Sequence, residues 1–386
     1  MSEPVSRVSA VAIQQRKEGG WVLGIVGKRS YEVARGRCYV AASQTSLVEE
    51  PDVDETGRLH HDSDLIIHRL AADIILKGTA RAPRRTNAFT VTLRIADFVR
   101  EFSVVGERRL QARPDGRLAF SQAEQVDQVP LTWDEAYGGV DRVALAEIGD
   151  PIMDIAAEMD NPLTETQSLY AYPRNPFGKG YLIEASPAAI DACRLPRVEY
   201  GWSRVTPENV VRTHFVTWPT APIPASLSWL GYTAFPRSAQ LGLPVPYYDE
   251  VKFPPGQMPE VKSGLLRAVA LNREAPIAQR LDVAGLAQGA AVGMRAPSIL
   301  PGAEVQLTNA HPQEPLWSFR LPNETPRMAL RLPGQQRPDE LRPQIHQLSI
   351  EPDKSRVTVL WVATRPLDQP LTPGQTEAVG HGVVWS

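Results

Sequence analysis

Histidine and carboxylate side chains gather in one short stretch of the sequence. The group consists of His60, His61, Asp62, Asp64 and His68. Imidazole and carboxylate groups are ligands for zinc and other transition metals. Neighbouring residues do not readily share one face, however, and no second set with a defined spacing accompanies the group. We therefore interpret this stretch as a surface loop that leads into a strand, and we predict no metal site.

Three carboxylates are candidates for acid–base catalysis in a hydrolase acting on carbohydrate or peptide. Asp134 and Glu135 are adjacent, and Asp154 lies in 144–161, which is predicted to be a short amphipathic helix with an acidic face or a mobile insert. Such chemistry needs a carboxyl group whose pKa is raised by burial or by a neighbouring charge inside a concave pocket. The residue pattern alone is more typical of acidic side chains that face water, and we favour that interpretation.

The sequence motifs of common enzyme classes are absent. The seven histidines include no H-E-x-x-H, no serine lies in G-x-S-x-G, and no dinucleotide fingerprint occurs. Gly178, Lys179 and Gly180 lack the spacing of a phosphate-binding loop. Cys38 and Cys193 are predicted to be buried small hydrophobic groups. We predict a protein that is not an enzyme and that needs no cofactor, although a triad assembled from distant residues stays open.

Pro130–Gly139, Pro-Leu-Thr-Trp-Asp-Glu-Ala-Tyr-Gly-Gly, is the most distinctive stretch of the chain. Its apolar residues can be buried, whereas its two carboxylates need water or partners. The glycine pair permits positive φ or close approach of another backbone segment. The stretch therefore predicts a packed turn in preference to a catalytic loop.

Five segments resemble, in order, those of a bacterial domain-of-unknown-function family. They are Asp64-Leu65, Ala72–Pro83 (Ala-Asp-Ile-Ile-Leu-Lys-Gly-Thr-Ala-Arg-Ala-Pro), Val104–Arg108 (Val-Val-Gly-Glu-Arg), Pro130–Gly139 and Asn175–Tyr181 (Asn-Pro-Phe-Gly-Lys-Gly-Tyr). Members of that family sit beside type VI secretion genes and serve as adaptors, or chaperones, for secreted effectors. A later segment, Leu195–Glu199, only loosely resembles the family pattern.

The resemblance implies a non-enzymatic adaptor that binds a cognate toxin effector and loads it onto the secretion spike. The partners implied are that effector and the spike-tip proteins of valine–glycine-repeat and PAAR-repeat type. Two alternatives are an enzyme of the hydrolase class described above and a structural component of the secretion apparatus. Residues predicted to contact a partner are Trp133, Asp134, Tyr137, Trp229, Tyr232 and Phe235.

Composition limits the class of protein. The 386 residues carry a net charge of −3, so no strong field recruits nucleic acid or anionic lipid. The amino terminus lacks the pattern of a signal peptide, and no run of about 18 apolar residues could span a membrane. The predicted location is the cytoplasm. The 35 prolines disfavour long helices and favour short strands joined by rigid turns.

Period-two apolar patterns predict a mainly β fold, a β-rich α+β chain of two antiparallel sandwich or open-barrel-like units with few short helices. The predicted division is a β-rich domain over 1–213, a Pro/aromatic connection over 214–260 and a second β-rich domain over 261–386. Within the first unit, Ile74–Ala80, Phe89–Ile95 and Val99–Val105 are predicted to form a three-stranded meander. A short helix is predicted over 188–193 after Ser186-Pro187, and Lys28 is predicted to lie at a solvated strand end.

Overall fold

Strands make up most of the secondary structure in the computed structural model of the chain. The structure describes residues 11–17, 20–54, 58–67, 69, 71–148, 170–172, 174–211, 220–229 and 288–385. The strands of the first half are β1 Val11–Lys17, β2 Gly20–Ala34, β3 Arg37–Val40, β4 Asp52–Val53, β5 Leu59–His61, β6 Ala72–Leu76, β7 Thr79–Thr86, β8 Ala88–Ile95, β9 Phe98–Val105, β10 Leu110–Ala112, β11 Leu118–Phe120, β12 Val126–Pro130, β13 Tyr137–Gly138, β14 Lys179–Gly180 and β15 Val198–Tyr200. Those of the second half are β16 Arg295–Ala296, β17 Glu304–Thr308, β18 Leu316–Arg320, β19 Arg327–Arg331, β20 Asp339–Leu341, β21 Gln344–Glu351, β22 Arg356–Leu367 and β23 Gly380–Val384. The helices are α1 Arg142–Ile148, α2 Pro187–Ala192 and α3 Pro373–Glu377, with single 3₁₀ turns at Trp133–Glu135 and Pro352–Lys354. The prediction of a mainly β fold with few short helices is confirmed.

One curled sheet of twelve strands forms the framework. Its order is β15-β9-β8-β17-β18-β3-β2-β22-β21-β6-β16, and β1 pairs with β2. The fifteen-residue β2 pairs with β22 from Trp21 to Glu32. Leu23 and Ile25 on one face of β2 are fully buried, as period-two alternation requires of a core-facing strand. The core lies against this face and continues under β6, β8 and β21.

Strands from both predicted units share this sheet. β8 pairs with β17 from Thr92 to Ile95, and β2 pairs with β22 along most of its length. Much of the predicted connection over 214–260 lies outside the described residues, so the division of the chain stays a prediction. The two segments nevertheless contribute to one hydrogen-bonded framework.

Two of the three strands of the predicted meander are neighbours in the sheet, and the third is not. β8 and β9 form the expected hairpin through Ala96-Asp97, but β6 lies elsewhere in the sheet, parallel to β21 and antiparallel to β16. All five residues of β6 are buried. A strand that is covered on both faces suits an interior position in a sheet. Its parallel pairing with β21 requires a long crossover connection, and the alternation of apolar and polar residues does not predict such a pairing.

The structure also contains a β-hairpin in the second half of the chain and the helix predicted after Ser186-Pro187. β21 and β22 form a hairpin whose turn ends at Ser355 with φ +48. Helix α2 begins as expected, with the Ser186 hydroxyl accepting from the Ala189 amide. Of the predicted helix over 144–161, the described part is α1, and Asp154 lies outside the described residues. None of the helices in the described part of the chain combines the length and apolar composition that a membrane span requires.

Candidate functional site

The Pro130–Gly139 stretch forms a tight turn that ends in the strand β13. β13 pairs in parallel with β14, so Tyr137 lies beside Lys179. Gly138 and Gly139 have φ of +146 and +101. A Cβ atom on Gly138 would overlap the backbone carbonyl oxygen of Asn175. The prediction of positive φ and close backbone approach is therefore confirmed. Only glycine, which has no Cβ atom, can meet both conditions.

Asn175 ties this turn to the segment Asn175–Tyr181. Its side-chain Nδ2 donates to the carbonyl oxygens of Trp133, at 2.8 Å, and Tyr137, at 3.0 Å. The backbone amide of Lys179 donates to the Ala136 carbonyl at 2.9 Å. Two stretches that lie far apart in sequence therefore form one interlocked turn, which is held by the side-chain amide of Asn175 and by backbone hydrogen bonds.

Glu135 is the charged centre of this turn. Its side chain is buried, and the carboxylate accepts from Lys179 Nζ at 2.9 Å and from Arg197 Nε at 2.7 Å. Burial by itself raises the pKa of Glu135, but the hydrogen bonds from Arg197 and Lys179 outweigh it and lower the pKa below its ordinary value. We call these three residues the Glu135 ion cluster. A carboxylate held anionic in this way is an acceptor and is unsuited to act as a general acid at neutral pH.

Asp134 faces the opposite way from Glu135. Its side chain is 44% exposed and pairs with Arg58, whose guanidinium lies 4.3 Å from the centre of the Phe177 ring. Of the two predicted catalytic carboxylates of this turn, Glu135 is therefore buried but paired with two cations, and Asp134 is partly exposed and paired with Arg58. The third candidate, Asp154, lies outside the described residues.

Three of the predicted partner-contact residues are core residues. Trp133, Tyr137 and Trp229 are at most 5% exposed. The Trp133 indole donates to the Trp229 carbonyl, and the Tyr137 hydroxyl donates to the Val210 carbonyl at 3.2 Å. Contact of these rings with a partner would require the core to open. The prediction of a partner surface at these residues stays untested, but Asp134 alone among the described members is substantially exposed.

Tyr232 and Phe235 complete that predicted set, and both lie outside the described residues.

The stretch predicted as a surface loop contains buried charges instead. Asp64 and Lys28 form an ion pair of 2.6 Å, with side-chain exposures of 0% and 2%. Lys28 also donates to the Ser46 carbonyl, and Asp64 accepts the Val48 amide at 2.8 Å. The predictions of a solvated strand end at Lys28 and of a surface loop at Asp62 and Asp64 are wrong, because the chain over 44–48 packs across this part of β2.

A second buried set, the Asp73 polar cluster, consists of Arg69, Asp73, Gln288 and Gln347. Arg69 Nε lies 3.4 Å from Asp73, and both side chains are fully buried. Asp73 accepts from Gln288 Nε2 and from the Gly289 amide, each at 2.7 Å, while Arg69 donates to Gln347 at 3.1 Å. The cluster fastens the segment that begins at 288 to strands β6 and β21.

The histidines near this region are separated by their environments. His60 reaches Asp54 at 3.2 Å, whereas the His61 ring packs 5.0 Å from that of Trp229. Burial lowers the pKa of His61, and the charge of Asp64 only partly opposes this. His68 lies outside the described residues. Within the described ranges, no three His, Cys, Asp or Glu side chains are grouped in a way that could hold a metal ion.

The two cysteines behave as small hydrophobic groups. Cys193 is buried and Cys38 is partly buried against the main core. Burial raises the pKa of each thiol to about 12. Both thiols therefore stay protonated at neutral pH, and neither has the thiolate character of a nucleophile.

Trp202 is an exposed aromatic residue that sequence patterns did not single out. Its ring is 60% exposed and stacks at 4.8 Å on the buried ring of Tyr200. It borders a shallow cleft of about 430 Å³ with Arg100 and Gly293. Trp202 follows the strand β15 and a glycine, so no alternation marks it. A surface tryptophan held against a fixed ring is typical of partner-binding sites.

Comparison with known proteins identifies one relationship. No curated protein sequence and no solved structure matches the chain. A family described as uncharacterized proteins conserved in bacteria (DUF2169) matches residues 18–362. That match extends over most of the sequence, from β2 to β22. The protein described here therefore belongs to this bacterial DUF2169 family.

Proposed function

We propose that this protein is a cytoplasmic, non-enzymatic adaptor that binds a toxin effector and presents it to a secretion spike. The partners proposed are the effector and spike-tip proteins of valine–glycine-repeat and PAAR-repeat type. The proposal starts from the five segments that resemble the adaptor family of type VI secretion, since membership of the bacterial family by itself assigns no function.

The observation that carries the proposal is the way these segments meet. The Leu131 amide donates to the Gly78 carbonyl at 3.0 Å, so Pro130–Gly139 packs on Ala72–Pro83. Arg108, from Val104–Arg108, pairs with Glu199, and Asn175 holds the turn described above. Their charged side chains are held in ion pairs, with Glu135 and Lys179 paired inside the set and Asp64, Asp73 and Arg108 paired with residues outside it. Such use supports a shared binding framework in preference to a catalytic centre.

The charge state of Glu135 supports the same choice. A hydrolase that used Glu135 as its acid would need a raised pKa, whereas the contacts of Arg197 and Lys179 lower it. An adaptor has no such need, because it works by binding energy alone. The Glu135 ion cluster instead fixes the relative positions of the three chain segments that contain Glu135, Lys179 and Arg197.

The adaptor proposal is tested by affinity purification of the tagged protein from its native bacterium under mild elution. We expect one toxin-like protein at near-equal amount, insoluble or unstable when expressed without the adaptor. Recovery of a stable monomer alone would favour the enzyme alternative and lead to substrate screens. Recovery of large homo-oligomers would favour a structural component of the secretion apparatus.

A matched pair of variants tests whether the exposed aromatic contributes to that binding. Trp202→Ala removes an exposed ring, and Leu300→Ala removes an exposed aliphatic side chain that is 69% accessible. We expect Trp202→Ala to weaken effector binding by about tenfold or more and Leu300→Ala to leave it unchanged. Equal binding by both variants would place the contact surface elsewhere.

A further inference from the structure

A cleft of about 290 Å³ opens beside the Glu135 ion cluster. Five cationic side chains line it, and they come from three separate segments of the chain. They are Arg108, Arg109, Lys179, Arg194 and Arg197. Two glutamates, Glu107 and Glu124, also line it and are exposed to solvent. The volume is near the lower limit for small-ligand sites, which suits one or two small charged groups.

The cations of this cleft outnumber the carboxylates buried beneath them. Lys179 and Arg197 share the single carboxylate of Glu135. Arg108 pairs with Glu199, and its guanidinium also lies 5.2 Å from the centre of the Phe120 ring. These three cations therefore face two carboxylates, and one positive charge has no buried counter-ion.

Arg109 and Arg194 add two more positive charges. They face each other across an isolated antiparallel bridge between their backbones. Arg194 donates to the Asp191 carbonyl at 3.0 Å, and neither side chain forms an ion pair with any described residue. Both are exposed, so their guanidinium groups can reach a ligand without breaking an ion pair.

We propose that this cleft binds carboxylate side chains of an acidic peptide segment on a partner protein. A guanidinium offers parallel N–H donors that match a carboxylate, and two such groups at one opening favour bidentate contacts. Glu107 and Glu124 offset two of the three cations that the buried pairs leave over, so the cleft keeps a net charge of +1. The identity of the protein that carries the acidic segment, a toxin effector, rests on the proposed function.

The site is tested with a fluorescently labelled oligo-glutamate peptide, by fluorescence anisotropy on the full-length protein. We expect saturable binding that weakens as salt is raised, because exposed charges are screened over about 10 Å at 0.1 M salt. An oligo-lysine peptide of equal length should not bind. Absence of oligo-glutamate binding at low salt overturns the proposal, even where the effector itself is captured.

Paired variants separate the cleft from general surface charge. Arg109→Glu with Arg194→Glu should weaken oligo-glutamate binding by about tenfold or more, which corresponds to about 1.4 kcal/mol. Arg109→Gln with Arg194→Gln should weaken it by less. The control, Arg94→Glu with Arg327→Glu, changes two exposed arginines outside the cleft by the same charge. Equal loss in the cleft and control variants contradicts the proposal.

Inorganic phosphate distinguishes the two sources of negative charge. At equal ionic strength, we expect phosphate to compete poorly with oligo-glutamate. Competition as strong as that of free peptide would assign the cleft to small inorganic anions and overturn the peptide assignment. Retained peptide binding in a protein that captures no effector would leave the cleft assigned and would count against the adaptor function alone.

Discussion

The Glu135 ion cluster and the Asp73 polar cluster use the same chemistry in different surroundings. In the first, Lys179 and Arg197 are 33% and 18% exposed, and two cations share one carboxylate. In the second, Arg69 and Asp73 are fully buried and are matched one to one. Water can replace a lost partner in the first cluster but not in the second. The Asp73 polar cluster is therefore sealed and has no cation to spare, whereas the Glu135 ion cluster is open and retains one for a ligand.

The largest effect is expected from Asp73→Asn. This change leaves the buried Arg69 charge without its counter-ion, and we expect unfolding to become easier by about 3–5 kcal/mol. The free energy of unfolding is measured by urea titration. The matched control is Asp353→Asn, in an exposed pair with Arg81, with an expected loss below about 1 kcal/mol. Similar losses for the two variants would remove the distinction between sealed and open clusters.

Glu135→Gln should have an intermediate effect of about 1–3 kcal/mol, since Lys179 and Arg197 can turn toward water. The folded-state pKa of Glu135 is lowered, so its contribution is present above the unfolded value of 4.5 and is lost as pH falls through the folded pKa. The stability difference between wild type and variant should therefore shrink below about pH 4.5. Glu351→Gln, in an exposed pair with Lys354, is the control. A difference that is constant with pH would contradict the ion cluster.

His61→Gln should change the pH dependence of the free energy of unfolding more than it changes that free energy at neutral pH. The folded-state pKa of His61 is lowered by burial from 6.5, so the unfolded chain binds the proton first as pH falls. The free energy of unfolding of the wild type should therefore fall as the pH drops below 6.5, until the pH reaches the folded-state pKa. The total loss should be about 1.4 kcal/mol for each unit by which the folded and unfolded pKa values differ. The variant should lack this slope. His60→Gln, at an exposed neighbour, should retain it.

Asp134→Asn should have the smallest effect on folding. Its pair with Arg58 is exposed, and such pairs contribute roughly 0–1 kcal/mol. Urea titration should show little change from wild type. Because Asp134 is the most exposed of the predicted partner-contact residues that the structure describes, its effect on effector affinity is the sharper measurement. A marked loss of stability would mean that the outer side of this turn is as tightly coupled as the Glu135 side.

Local pattern predicted the parts of the fold that depend on neighbouring residues. Alternation in Phe89–Ile95 and Val99–Val105 identified the β8–β9 hairpin, and Ser186-Pro187 identified the start of α2. It identified a strand over Ile74–Ala80, which overlaps β6, but not the place of β6 in the sheet, because a strand buried on both faces has no alternation to show which strands flank it. Nor did it place Lys28, since a single lysine in an apolar strand is compatible with either water or a distant aspartate.

The candidate site was predictable only in outline. The Gly138-Gly139 pair indicated a tight turn from backbone chemistry alone. The contact of Glu135 with Arg197, and the meeting of Arg109 with Arg194, depend on how distant segments pack. The aromatic residues Trp133 and Tyr137 are suited both to a core and to an interface, and burial, which decides between them, is a property of the whole fold.

The pairing of β2 with β22 has a consequence for the time course of synthesis. Trp21 in β2 pairs with Leu367 in β22. During synthesis, β2 therefore cannot form this pairing until β22 has been translated. At about 5–20 residues per second, that wait is roughly 15–70 s on the ribosome. During it, β2 has an unsatisfied edge that can pair with other nascent chains. Ribosome-bound holding factors, and a slow final folding step set by this long-range contact, are therefore expected features of its biogenesis.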